Sequence, residues 1–281
     1  MDTQVDIRPS PIAGQWYPGD SHRLGESVDR YLEAAGQPKL EGEVIAIMVP
    51  HAGHMYSGSV AGYAFAAVRG LATELVAVVS PMHHLYSQEL LTTSHTHYAT
   101  PLGHIPVDRE AVNVLDGYLQ SELGFGLAQV KNDLEHSLEI ELPFLQRSLK
   151  PDFKLLPVMV LEQTVQVAHA LGRALAKVLS GRQALLVAST DLSHFYDQDT
   201  ANRLDAEVLR YVEAFDPEGV IQVEEKGRGF ACGRGALAAV MWAAKELGAN
   251  HVQILHHATS GDVTGDFDRV VGYGSAVITK R

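Results

Sequence analysis

Cysteine is all but missing from this chain: Cys232 is the only one in 281 residues. An internal disulfide is therefore excluded, and a reducing, cytoplasmic setting is the expectation. Long apolar runs are missing too. Stretches such as 44–49 fall far short of the roughly 20 residues that cross a bilayer as a helix, so no membrane role is expected. The acidic opening, residues 1–6, lacks the apolar centre of a secretory signal. Positive charge is scarce: 22 Lys and Arg against 34 Asp and Glu give a net charge of −12. With no basic cluster to displace counterions, nucleic-acid binding is excluded as a role. Repeats, low-complexity tracts and long linkers are also absent, and no shift in composition marks a boundary. One domain over 1–281 is the expectation, long enough to bury a full core.

What is present alternates in character. Residues 44–49, 75–79, 155–160 and 185–188 are continuous apolar runs, as expected of strands covered on both faces. Between and around them lie helical patterns at 21–34, 59–68, 165–179, 205–215 and 236–247, the last followed by Gly248. Two strand-like runs, 252–259 and 270–278, close the chain. This alternation predicts a layered α/β fold with a mostly parallel or mixed central sheet flanked by helices.

Histidine is abundant, at 14 residues, and its placement is informative. Three apolar strands end in a polar or prolyl break followed by a ligand-type side chain. Val49-Pro50 leads to His51, Ser80-Pro81-Met82 leads to His83 and His84, and Ser189-Thr190 leads to Asp191, with His194 three residues on. Ligands of open α/β sheets bind outside the carboxyl ends of strands, where such side chains converge. Cys232 precedes the helix at 236–247, whose N-terminus would favour a thiolate. A plainer reading stands beside this one. A lone cysteine is often a small buried apolar residue, and a histidine after a strand is often a satisfied loop residue. The H-x-x-H spacing of His51 and His54 is weak by itself. His95, His97, His104, His169 and His251 read as structural, and of His256-His257 only one can face a site from a strand. In the segment 133–145, Ser137 is a plausible helix cap. Glu135-His136 could supply an acid–base pair or support a site, whereas Glu141 reads as a solvated charge.

These residues resemble the Memo family, whose bacterial and archaeal members are called AmmeMemoRadiSam system protein B. Pro50-His51-Ala52-Gly53-His54-Met55-Tyr56-Ser57-Gly58 is similar to its P-H-A-G-Y-x-Y-S-G. Residues 13–18, 80–84, 98–103, 135–146, 189–194 and 232–234 resemble its A-G-x-W-Y-P, G-P-S-H-H, Y-x-T-P-L-G, E-H-S-x-E-x-x-L-P-F-L-Q, S-S-D-x-S-H and C-G-R. The resemblance implies a fold like the LigB-type extradiol dioxygenases, which hold non-haem iron. It implies a metal held by His51, His83 and Cys232, with Asp191, His194 and His136 lining the same cleft. His54 departs from the pattern by replacing tyrosine, and would add a donor beside the site.

Three functions follow as expectations. The first is a metal-dependent redox enzyme acting on a small molecule, with iron(II) the first choice of metal and copper or zinc also acceptable to these donors. His194 or His136 would move protons, and Asp191 would orient an imidazole. The second is a non-catalytic adaptor working with AMMECR-type and radical-SAM partners, as the prokaryotic name implies. The third is a metal-assisted hydrolase.

Overall fold

A run of β-branched and aliphatic residues forms a strand where both of its faces can be covered, and this chain has several. The computed structural model describes residues 5–281, so residues 1–4 of the acidic opening lie outside the described residues. In chain order the elements are β1 (Ile7–Arg8), α1 (Ser21–Ala35), β2 (Glu43–Val49), α2 (His54–Ala67), β3 (Leu75–Pro81), β4 (Leu90–Thr93), β5 (His97–Thr100) and β6 (Gly103–Pro106). Then come α3 (Arg109–Leu123), β7 (Ala128–Val130), α4 (Leu142–Ser148), β8 (Lys154–Val160), α5 (Val165–Leu179), β9 (Ala184–Ser189) and β10 (His194–Tyr196). The chain closes with α6 (Gln198–Glu213), α7 (Pro217–Glu225), α8 (Arg234–Glu246), β11 (His251–Thr259), α9 (Gly261–Thr264) and β12 (Val270–Lys280).

Nine strands form one sheet in the order β10-β12-β2-β9-β3-β8-β4-β7, with β11 paired to β12. Its centre, β2-β9-β3-β8, is parallel, while β12 joins β2 and β4 joins β8 in antiparallel fashion. The sheet is mixed and flanked by helices, as the alternating sequence pattern predicts. Every residue of β3 is buried, so both of its faces are covered. A small second sheet, β1-β5-β6, stands apart from the first.

Small residues decide how closely the helices approach. α2 is apolar almost all round, which suits a helix enclosed on several sides. It starts at His54, five residues before its Ala-rich part, because the His54 N–H donates to the Trp16 carbonyl at 2.9 Å. A Cβ at Gly62 would meet the Tyr31 carbonyl oxygen of α1 at 2.7 Å, so only glycine permits this contact. Gly172 of α5 plays the same part against Ala239 and Trp242 of α8.

The parallel register matters most for function. Val49 pairs with Ser189, and Val79 pairs with Ala188, so β2, β9 and β3 end level with one another. His51, Asp191 and His83 follow those three ends.

Candidate metal centre

His51 emerges two residues after β2 and is almost fully buried. Its backbone N–H donates to Asp191 Oδ1 at 2.7 Å, fixing the turn. Its Nδ1 lies 2.9 Å from Ser189 Oγ, which turns Nε2 toward Cys232 Sγ at 3.1 Å. His83 follows β3 and is clamped by Glu135, whose Oε2 accepts from the His83 N–H at 2.6 Å and whose Oε1 lies 2.9 Å from Nδ1. Glu135 also accepts from the N–H groups of His136 and Ser137 at 2.9 Å each. Burial acts to raise the carboxyl, but the His83 hydrogen bond and the positive potential of His83 and His136 win, holding it far below the usual carboxylate range. An ionised carboxylate only accepts, so His83 Nδ1 carries the proton and Nε2 keeps its lone pair. This is the support a metal-ligating histidine needs.

The nitrogens of His51, His83 and His136 lie within 4.8 Å of one another. The His83 and His136 rings stack at 4.8 Å, and His51 meets both edge-on. Desolvation, then the neighbouring imidazoles, push His51 well below its ordinary value. Desolvation pulls His136 down to about 4. Neutral imidazoles are the form that binds metal. Two nitrogens at about 2.1 Å from one tetrahedral ion stand roughly 3.4 Å apart, so a modest contraction of this triangle seats an ion.

The other expected residues fall nearby, with differences. Cys232, just before α8, places its sulfur against His51, and the Asp191 N–H donates to it at 3.3 Å. The helix start does not make it a thiolate in the metal-free protein. Desolvation of the sulfur, followed by the Asp191 charge, pushes the thiol well above its ordinary value. A metal must therefore displace a proton to take it. The Asp191 carboxylate accepts from the His51 and Ala52 backbone, its second oxygen stands 3.9 Å from His51 Nε2, and burial raises it to about 7. His194 opens β10, close enough for its charge to bear on His51, and burial lowers it. Its Nδ1 is buried without a hydrogen-bond partner.

Several side chains depart from expectation. His54 points away from the site: its Nε2 contacts the Ile140 carbonyl at 3.0 Å and its ring meets Phe144. The first turn of α2 carries it there. Ser137 does not cap a helix; its hydroxyl donates to the Pro81 carbonyl at 2.8 Å, tying its loop to the end of β3. Glu141 is not solvated but 1% exposed, because the turn 139–141 winds inward beneath β9 and brings it to Ser189. His257 pairs with buried Asp205 at 2.8 Å, while His256 stacks on Tyr63, so neither is a ligand here.

Sequence reasoning missed two supports. Buried Arg8 binds both oxygens of Asp133 and donates to the Glu135 carbonyl at 2.8 Å, bracing the loop that holds His83. An arginine 125 residues away along the chain gives no signal in the sequence. Trp16 packs against His136 with ring centroids 4.1 Å apart and planes tilted by 36°. It also borders a cavity of about 460 Å³ whose walls include Ala52 and Phe195, the chain neighbours of His51 and His194, with Gly53, Tyr56, Arg269 and Tyr273.

A mixed α/β sheet at whose central strand ends three imidazoles and a thiol gather defines a candidate metal-binding protein. The comparisons narrow this. Residues 8–277 match the Memo family, described as Memo-like protein. A MEMO1 family protein of Nitrosopumilus maritimus is 33% identical over 96% of this chain and 98% of its own length. One from Methanosarcina mazei is 34% identical over 98% of this chain and 100% of its own. One from Thermotoga neapolitana is 35% identical over 97% and 100%. The chain belongs to the Memo family.

Proposed function

We propose that this chain is a metal-dependent redox protein acting on a small molecule. The metal is held by His51, His83 and Cys232, with His136 facing the same point as a further donor. The observation that carries this reading is the convergence of the His51, His83 and His136 nitrogens, with Cys232 Sγ abutting His51. The donor set fits a metal chemically. His51 and His83 each commit Nδ1 to an oxygen partner, which leaves both Nε2 atoms as candidate ligand atoms, that of His51 beside Cys232 Sγ. Two or three imidazoles and one thiolate suit iron(II), copper or zinc, with iron(II) the first expectation. Such an ion supplies Lewis acidity and, as iron or copper, electrons.

The chain's own residues do the rest. Substrate enters the cavity of about 460 Å³ beside the site, between Trp16, Tyr56 and Phe195. Those aromatic walls offer faces that orient a flat or apolar portion of the ligand. His194, next in the chain to the cavity wall Phe195, exchanges protons with substrate, and His136, packed against the cavity wall Trp16, is the second candidate for that step.

The test is dioxygen uptake by iron-loaded protein supplied with a panel of small molecules. Turnover should fall about 100-fold or more in His194→Ala, the usual weight of a general acid–base group. A protein that carries only redox-silent zinc and consumes no dioxygen with any compound contradicts the redox assignment.

A further inference from the structure

The side of His51 that faces away from the site is built as carefully as the side that faces it. Ser189 Oγ has three polar neighbours: the Ser137 carbonyl at 2.7 Å, Glu141 Oε1 at 2.9 Å and His51 Nδ1 at 2.9 Å. A hydroxyl has one proton to give and two lone pairs to receive. The Ser137 carbonyl can only accept, and it is the shortest contact, so the Ser189 proton goes there. Both remaining neighbours must then donate. For an ionised Glu141 that is impossible: its oxygen would press on a Ser189 oxygen already committed elsewhere. Glu141 and Ser189 are both buried, at 1% and 0% exposure, so water cannot relieve the clash. Among the described residues no arginine, lysine or histidine forms an ion pair with Glu141, whereas Glu139, two residues earlier, is paired with Arg8.

We propose that Glu141 is a positioning residue, a neutral carboxylic acid that donates to Ser189 and through it fixes His51 with its proton on Nδ1 and its lone pair on Nε2. All three contacts of Ser189 are then satisfied, and no other assignment of protons achieves this. Burial, with the Asp191 charge in the same direction, moves the Glu141 carboxyl well above its ordinary value, outweighing the Ser189 hydrogen bond. Between them, Glu135 and Glu141 fix the two ligand histidines by opposite means. An ionised carboxylate receives from His83, and a protonated one gives to the hydroxyl that receives from His51. The consequence for the metal rests on the reading above that His51 is a ligand; the protonation pattern itself does not.

The experiment has two arms. Infrared difference spectra at neutral pH compare Asp191→Asn with a double variant. A carbonyl stretch of a protonated carboxyl group should be present in Asp191→Asn and missing in the double variant Glu141→Gln/Asp191→Asn, in which the band that Asp191 itself adds is also removed. Proton–nitrogen NMR of the His51 ring, on metal-free protein, should place the proton on Nδ1. No such band from Glu141, or a His51 proton on Nε2, overturns the proposal whether or not metal binds. In the second arm, iron(II) affinity is measured. Glu141→Gln can still donate to Ser189 and should keep affinity within about threefold, whereas Glu141→Leu should lose about 10- to 100-fold, the usual effect of removing such support. Equal losses in the two variants would show that Glu141 merely fills space, and would overturn the positioning role.

Discussion

His54 shows how little a spacing says about direction. It stands three residues from His51, where the resembling motif carries tyrosine, yet the first turn of α2 sends it to the Ile140 carbonyl. Burial lowers it from 6.5 to about 4, against the small opposing effect of that hydrogen bond. The folded protein therefore keeps His54 neutral in a window where the unfolded chain binds a proton. Stability from this group is complete above about pH 6.5 and is lost as pH falls toward 4, by roughly 3 kcal/mol in all. His54→Tyr should remove that component, so urea unfolding of wild type and variant should diverge at pH 4.5 relative to pH 8. Parallel pH profiles would contradict this assignment. Arg8 makes a second prediction at the same scale. Arg8→Met leaves buried Asp133 and Glu139 without their cation, and should cost about 3–5 kcal/mol. A loss under about 1 kcal/mol by denaturant titration would show that those carboxyls find other partners. At this scale His51 and His83 were legible because a polar break after an apolar run marks a strand end. Cys232 was legible only through the family pattern, since nothing local separates a ligand cysteine from a packed one. Glu141 and Arg8 were not legible, because their partners, Ser189 and Asp133, lie far off in sequence.

Among the elements, the strands were the easier part to read. β2, β3, β8 and β9 each carry a continuous apolar run that is covered on both faces, and such runs announce themselves. The helices were harder at their ends. α2 begins before its apolar pattern does, since the backbone bond from His54 to the Trp16 carbonyl starts it and no side chain caps it. The short strands β4 to β7 and β10 carry few residues each, too few for a period to show. The contact of α1 with α2 depends on Gly62, whose place a larger side chain cannot take without moving Tyr31. Gly62→Val should lower stability by about 1–3 kcal/mol through overpacking. Metal binding should survive in the folded fraction, since His51 is held from β2 and β9. An unchanged melting temperature would mean that the two helices separate at no cost.

For the molecule as a whole, the order of the parallel strands is what makes a site. β9 lies between β2 and β3, so residues 51, 83 and 191, far apart in the chain, leave the sheet side by side. Alternation of strands and helices predicts such a layered fold, but not which strands are neighbours; that order is set by packing among all the elements. No helix among the described residues is long and apolar enough to cross a membrane. The fold places Cys232 within 3.1 Å of His51, while a nearby imidazole, His136, offers a competing donor. Metal content decides between these sets. Protein purified without oxygen should carry about one metal ion per chain, and His51→Ala and His83→Ala should each retain less than about a tenth of it, given the 10- to 100-fold cost of losing even supporting groups. The most direct measurement is the metal content of Cys232→Ser beside wild type: the account predicts a loss of similar size, and full retention of metal would contradict the site of His51, His83 and Cys232.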